Sequence, residues 1–312
     1  MIKKLRFAHV FTLLLVLLIV PVIVKQVLPS ERRQYDWVSL DETRYSEVVF
    51  PNSKQRLSLA GMLFVPPGDG PFPAAVVIHG SGTSRRDSGW YLTLADYLQR
   101  NGIAVLLPDK RGSEKSEGEW RTADFHDLAT DTMAAIEFLR NQQIVAVSGI
   151  GVIGMSQGGW IAPIVASESD NLAFIVNMVG SAVTPIEQLS YEENHNLRQM
   201  GFLPGFSNII TMMSTAYIRN VAQADFWSGI AEFDPLPYWQ KVNVPALILH
   251  GADDTNVPSE ESAARLVSLG KDNIEVRIFE GSGHALQDPP GRGDDLIRRE
   301  ALNAIASLIK MN

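Results

Sequence analysis

From residue 74 onward the chain alternates between short, largely apolar runs and longer stretches whose apolar residues recur every three or four positions. The runs are Ala74–Ile78, Ile103–Leu107, Ile150–Ile153, Phe174–Val179 with Asn177 within it, and Ala246–Leu249 ending at His250; Ile274–Phe279 reads as a further strand, in which Glu275 and Arg277 alternate with apolar residues. Between them, Trp90 to Arg100 predicts a helix that stops at Gly102, because glycine accepts the left-handed conformation of a helix end. Phe125, Leu128, Thr132, Ile136 and Leu139 fall on one face of a second helix. Further helices are predicted over Trp160–Ala166, Glu260–Leu269 and Asp294–Ile309. Strands apolar throughout are buried on both faces, and their alternation with helices predicts an α/β fold with a mostly parallel, doubly wound sheet. Upstream, Glu47–Phe50 and Leu57–Val65 read as an antiparallel pair, ended by Pro66, Pro67, Gly68, Gly70, Pro71 and Pro73.

The alternation halts near Ala182 and resumes near Ala246. Residues 183–240 carry aromatics, Met200, Met212, Met213 and several prolines with no clear strand, which predicts a helical cap inserted into the domain. The core would then comprise residues 45–182 and 241–312.

The N-terminus has a different pattern. Lys3, Lys4 and Arg6 precede Phe7–Val24, whose clearly polar members are His9 and Thr12. A stretch of that length can cross a bilayer core. Residues 1–28 therefore read as a membrane anchor or as a cleaved signal segment, with Leu28-Pro29-Ser30 the nearest, poor cleavage site, and 29–44 as a polar linker. In either case the body is expected outside the cytoplasm, on the periplasmic or extracellular face, with the membrane as a partner or after secretion.

Charge and composition narrow the partners. Among 312 residues the net charge is −8; the 27 basic residues less Lys3, Lys4, Arg6 and Lys25 leave 23 against 35 acids, a net of −12 for the body. Such a body is not expected to hold nucleic acid. The absence of cysteine excludes disulfides, thiolate catalysis and cysteine metal sites.

Candidate chemistry centres on Gly154-Met155-Ser156-Gln157-Gly158-Gly159, placed where an apolar strand gives way to a helix. A serine on so tight a turn needs glycine on both sides, and its hydroxyl is left at the helix N-terminus. A serine hydroxyl is a poor nucleophile without a base and an orienting acid. Of six histidines, His284 in the loop Gly281-Ser282-Gly283-His284-Ala285 past the last strand is the best base, since reactive groups of a parallel sheet collect beyond the carboxyl ends of its strands. His250 ends a strand inside an apolar run, where a hydrogen-bonded structural role is expected. Asp253 and Asp254 follow that strand, and both are in reach as the acid. Two backbone N–H groups should face a developing oxyanion: that of Gln157, and one from His79-Gly80-Ser81-Gly82.

These segments, over roughly residues 45 to 310, resemble the α/β-hydrolase superfamily. His79-Gly80-Ser81-Gly82 looks like its H-G-x-G oxyanion loop, which implies Ser81 as an N–H donor. Asp109-Lys110-Arg111-Gly112 resembles a D-x-R-G loop-shaping element, and Gly154–Gly158 the nucleophile elbow. Gly251-x-x-Asp254-x-x-Val257-Pro258 resembles the acid loop and selects Asp254 over Asp253. Gly283-His284 matches the histidine loop, and the order Ser, Asp, His is the one this fold uses. Within the superfamily the chain looks most like the capped esterase, lysophospholipase and serine-aminopeptidase-like group. The resemblance implies hydrolysis of a small-molecule acyl ester by Ser156, His284 and Asp254 with no metal or organic cofactor. A peptidase or thioesterase on the same groups is the alternative, and a dead, membrane-tethered binding protein the remote one. An aminopeptidase would need a carboxylate for its substrate's amine, for which Glu187, Glu192 and Glu193 are available. Phe202, Phe206, Tyr217, Phe226 and Trp227 either line an acyl site or form the cap's own core.

Overall fold

The computed structural model describes residues 2–27, 33–169 and 171–312, and of residues 2–8, 10, 11, 14, 147 and 148 the backbone alone. Helix α1 (Ile2–Val27) is followed in the chain by the strands β1 (Ser46–Asn52) and β2 (Leu57–Phe64). Then follow β3 (Phe72–Ile78), α2 (Gly89–Arg100), β4 (Ala104–Pro108), α3 (Phe125–Arg140), β5 (Val145–Met155), α4 (Gly158–Glu168) and β6 (Ile175–Met178). Helices α5 (Pro185–Gln199), α6 (Pro204–Tyr217), α7 (Ala224–Ser228) and α8 (Leu236–Trp239) come next. The chain closes with β7 (Ala246–Gly251), α9 (Ser259–Val267), β8 (Ile274–Phe279) and α10 (Arg299–Met311).

The eight strands form one sheet in the order β1-β2-β4-β3-β5-β6-β7-β8. From β4 to β8 all neighbours are parallel, while β1, β2 and β4 pair antiparallel. Side-chain alternation divides the core between the two faces. Ala74, Val76 and Ile78 of β3 point to one side with Phe125, Leu128 and Ile136 of α3 and Ile161 and Ile164 of α4. Ala75 and Val77 point to the other, with Leu92, Leu94 and Leu98 of α2 and Leu302, Ile305 and Ile309 of α10. Both faces are dry, which is why these strands read as continuous apolar runs.

One expectation gains no support and another needs correction. Among the described residues no helix is long and apolar enough to cross a membrane. The expected anchor and its membrane partner therefore gain no support. The cleavage candidate Leu28-Pro29-Ser30 lies outside the described residues. The last helix begins at Arg299 rather than Asp294, because Asp295 bridges to Asp36 and Leu296 N–H donates to the Asp36 carbonyl. The segment read as a linker is docked there: Arg33 pairs with Asp294 at 3.0 Å, and Trp37 lies so close to Gly89 that a Cβ there would stand 2.3 Å from the indole.

Candidate active site

The sheet brings three loops to one edge. In register, Ile78 of β3 lies beside Gly154 of β5, and Met155 beside Met178 of β6, so the turn after β5 emerges between its neighbours. Ser156 occupies that turn with φ 52°, the left-handed region that side chains avoid. The flanking glycines leave no room for anything larger. A Cβ on Gly154 would stand 2.2 Å from the Gly158 carbonyl oxygen, and one on Gly158 would stand 2.3 Å from that of Ile78. The serine backbone N–H is fixed on the Met178 carbonyl at 2.9 Å.

Asp254 follows β7 and is buried. Its Oδ1 accepts the backbone N–H groups of Asn256 (2.8 Å) and Val257 (3.0 Å), which aims Oδ2 at His284. Asp253 is exposed, and its N–H instead ties the acid loop to the Ser282 carbonyl. His284 lies in the loop after β8. Its Nδ1 is 2.8 Å from Asp254 Oδ2, and its Nε2 is 3.0 Å from Ser156 Oγ. A carboxylate only accepts, so Nδ1 carries the proton and Nε2 accepts from the serine hydroxyl. This line can draw a proton from the hydroxyl while the carboxylate stabilises the imidazolium that forms. Trp90 steadies the histidine loop by donating to the Ala285 carbonyl at 3.1 Å.

Ser81 and Gln157 line one cavity of about 650 Å³ next to the serine turn. Phe226, Trp227, Trp160 and Glu192 also line it. Of the five cap aromatics, Phe226 and Trp227 face this space, while Tyr217 is exposed. The three cap glutamates separate. Glu187 caps α5 with Thr184 and lies 3.8 Å from Arg265. Glu193 is not among the lining residues, and Glu192 is, accepting from Asn256 Nδ2 at 3.2 Å. Burial pushes the Glu192 carboxyl above the usual range.

The other histidines sit elsewhere. His79 is buried against the Pro108 carbonyl (2.7 Å), and burial holds its pKa down at about 4. His250 is also pushed down to about 4 by burial, yet neither ring nitrogen has a hydrogen-bond partner, unlike the bonded role expected of it. His126 meets the Tyr238 hydroxyl, and His195 the Tyr191 carbonyl. Among the described residues no group of three or more His, Asp or Glu is arranged to hold a metal.

Asp109 and Arg111 shape their loop through ion pairs with Arg86 (2.7 Å) and Asp131 (2.6 Å). The lysine between them turns inward onto the His79–Gly82 loop, which the loop motif did not signal. Tyr91, whose hydroxyl accepts the Gly80 N–H at 2.8 Å, was also missed, since nothing in a helix pattern marks that contact.

Residues 133–291 match the family described as BAAT / Acyl-CoA thioester hydrolase C terminal. The chain belongs to this family and, with it, to the α/β-hydrolase superfamily. Esterase EstD of Thermotoga maritima is 25% identical over 249 residues, covering 75% of this chain and 59% of that protein. The peroxisomal succinyl-coenzyme A thioesterase of Mus musculus is 26% identical over 245 residues, covering 73% and 52%. The chain thus spans little more than half the length of these two relatives. The crystal structure of α/β hydrolase GrgF from Penicillium sp. sh18 superposes with a TM-score of 0.64 at 20% identity, covering 86% of this chain and 98% of that one, a likeness of fold.

Proposed function

We propose that this chain is a serine hydrolase that cleaves carboxylic esters through an acyl-enzyme. Asp254 orients His284, and His284 removes the Ser156 proton as Oγ attacks the ester carbonyl. The N–H groups of Ser81 and Gln157 hold the oxyanion, and His284 returns the proton to the leaving alcohol. Water then repeats the sequence on the acyl-enzyme. The observation that carries this reading is the unbroken hydrogen-bonded line from Asp254 Oδ2 through both nitrogens of His284 to Ser156 Oγ. The strained Ser156 backbone supports it, since strain persists where surroundings enforce it, as at active sites.

A thioesterase is the second reading, favoured by the family match over residues 133–291. The attack is the same, and only the leaving group differs. Hydrolysis of p-nitrophenyl esters of increasing acyl length, against thiol release from acyl-CoA, separates the two. Ser156→Ala should lower kcat/KM for either by about 10⁴-fold or more with the fold intact. Near-wild-type turnover in that variant, or failure of a fluorophosphonate to label Ser156 in the native chain, would sink the assignment.

A further inference from the structure

The mechanism above has no step for Lys110, yet this lysine is among the most committed side chains near the site. It follows β4, is 7% exposed, and donates to the Gly80 carbonyl (2.8 Å), the Gly82 carbonyl (3.2 Å) and Gln157 Oε1 (2.7 Å). An ammonium has three N–H groups and accepts nothing, so all three donors are occupied. No carboxylate neutralises it among the described residues. Asp109 beside it is held by Arg86, Arg111 is held by Asp131, and the ring of Trp120 lies 5.3 Å from Nζ. A buried cation held by neutral oxygens is costly, and a core without another demand would place an apolar chain here.

The three acceptors have one thing in common. Gly80 and Gly82 flank Ser81, and Gln157 follows Ser156. The Gly80 carbonyl belongs to the same peptide as the Ser81 N–H. In a trans peptide these point to opposite sides, so a donor gripping the oxygen fixes the direction of the hydrogen. Tyr91 grips the Gly80 N–H from its other neighbour at 2.8 Å. A cation on the carbonyl also polarises the peptide and makes its N–H a stronger donor.

We propose that Lys110 is a positioning residue for the oxyanion site: its ammonium holds Gly80, Gly82 and Gln157 so that the N–H groups of Ser81 and Gln157 converge on the developing oxyanion, with its positive charge behind them. The proposal rests on the serine-hydrolase reading. Burial holds the Lys110 pKa down at about 7. A neutral amine has two N–H groups for these three acceptors, so one is left unpaired and the charge is lost. The charged neighbours do not duplicate the role. His79 is kept neutral by burial, Asp109 and Arg111 are paired on their outer sides, and Glu119, Arg121, Glu192 and Asp225 line the cavity shared with Ser81 and Gln157.

The test uses the full chain as wild type, Lys110→Met and Lys110→Arg. kcat and KM for a p-nitrophenyl ester are measured between about pH 6 and 9, with thermal melting and the rate of fluorophosphonate labelling. Lys110→Met should lose about 100-fold in kcat with KM changed by less than about threefold. Wild-type kcat should fall as pH rises through about 7, where the ammonium loses its proton, and that fall should be absent from Lys110→Arg, which stays charged. A Lys110→Met enzyme with wild-type kcat and profile overturns the proposal. Should Lys110→Met not fold, the other two decide: a wild-type kcat flat over this range and matched by Lys110→Arg overturns it as well. A wild type that neither turns over esters nor takes the label removes the serine-hydrolase reading and this role with it. An active wild type with an indifferent Lys110 removes the role alone.

Discussion

Ser156 sits at φ 52° although it is not glycine. The left-handed conformation costs a non-glycine residue roughly 1–2 kcal/mol, held in place here by the contacts around Gly154 and Gly158. Ser156→Gly should therefore raise stability by about 1 kcal/mol, the relief of strain being partly offset by the freer unfolded chain, while activity is lost. Urea unfolding of the two proteins side by side checks it, and a less stable glycine variant would mean the strain is not there. At this scale the sequence was most informative where a residue's chemistry is local. Ser156, Asp254 and His284 each lie in a short motif. Lys110 also lies in one, Asp109-Lys110-Arg111-Gly112, but at its variable position, and its significance depends on where its Nζ reaches: the Gly80–Gly82 loop and the turn after Ser156.

Elements position these residues through close approach. Helix α4 starts where Gly158 abuts the Ile78 carbonyl, the end of the neighbouring strand β3. Gly158→Ala should push α4 off the sheet, lower stability by about 3 kcal/mol and disturb the turn at Gln157. Chemical denaturation and ester turnover together would reveal it; an unchanged midpoint would show that the turn has slack. The central strands β3 to β7 were legible because both faces are buried, giving largely apolar runs, whereas β8 at the sheet edge shows as Glu275 and Arg277 alternating with apolar residues. The start of α10 was not, because residues 294–298 carry helical spacing, and the pairing of Asp36 with Asp295 overrides it. The apolar N-terminal pattern marked a helix, and hydropathy alone did not establish a membrane span.

For the whole molecule, the two buried histidines make stability depend on pH. His79 and His250 have folded pKa values of about 4 and unfolded values near 6.5. Between these limits the unfolded chain binds more protons, so the neutral histidines stabilise the fold above about pH 6.5, and this is lost as pH falls towards 4. Each contributes on the order of 3 kcal/mol in total across that window. The melting temperature should drop across this window, and His250→Leu should flatten the drop; equal slopes in both proteins would exclude His250 as a source.

Helices α5 to α8 leave the sheet after β6 and return to it at β7, and these two strands are hydrogen-bonded neighbours, with Met178 beside Leu249. Because the two strands are parallel, the excursion leaves β6 at its carboxyl end and re-enters β7 at its amino end, beside Ile175, while Ser156, Asp254 and His284 all lie outside it. Replacing residues 183–240 would therefore change the cavity wall that Phe226 and Trp227 form, and with it the support of the acid loop, because the Tyr191 hydroxyl donates to the Asp254 carbonyl at 2.9 Å and Glu192 accepts from Asn256 at 3.2 Å. In this chain a new wall has to bring its own brace for the loop that carries Asp254, so selectivity and chemistry are bound to change together.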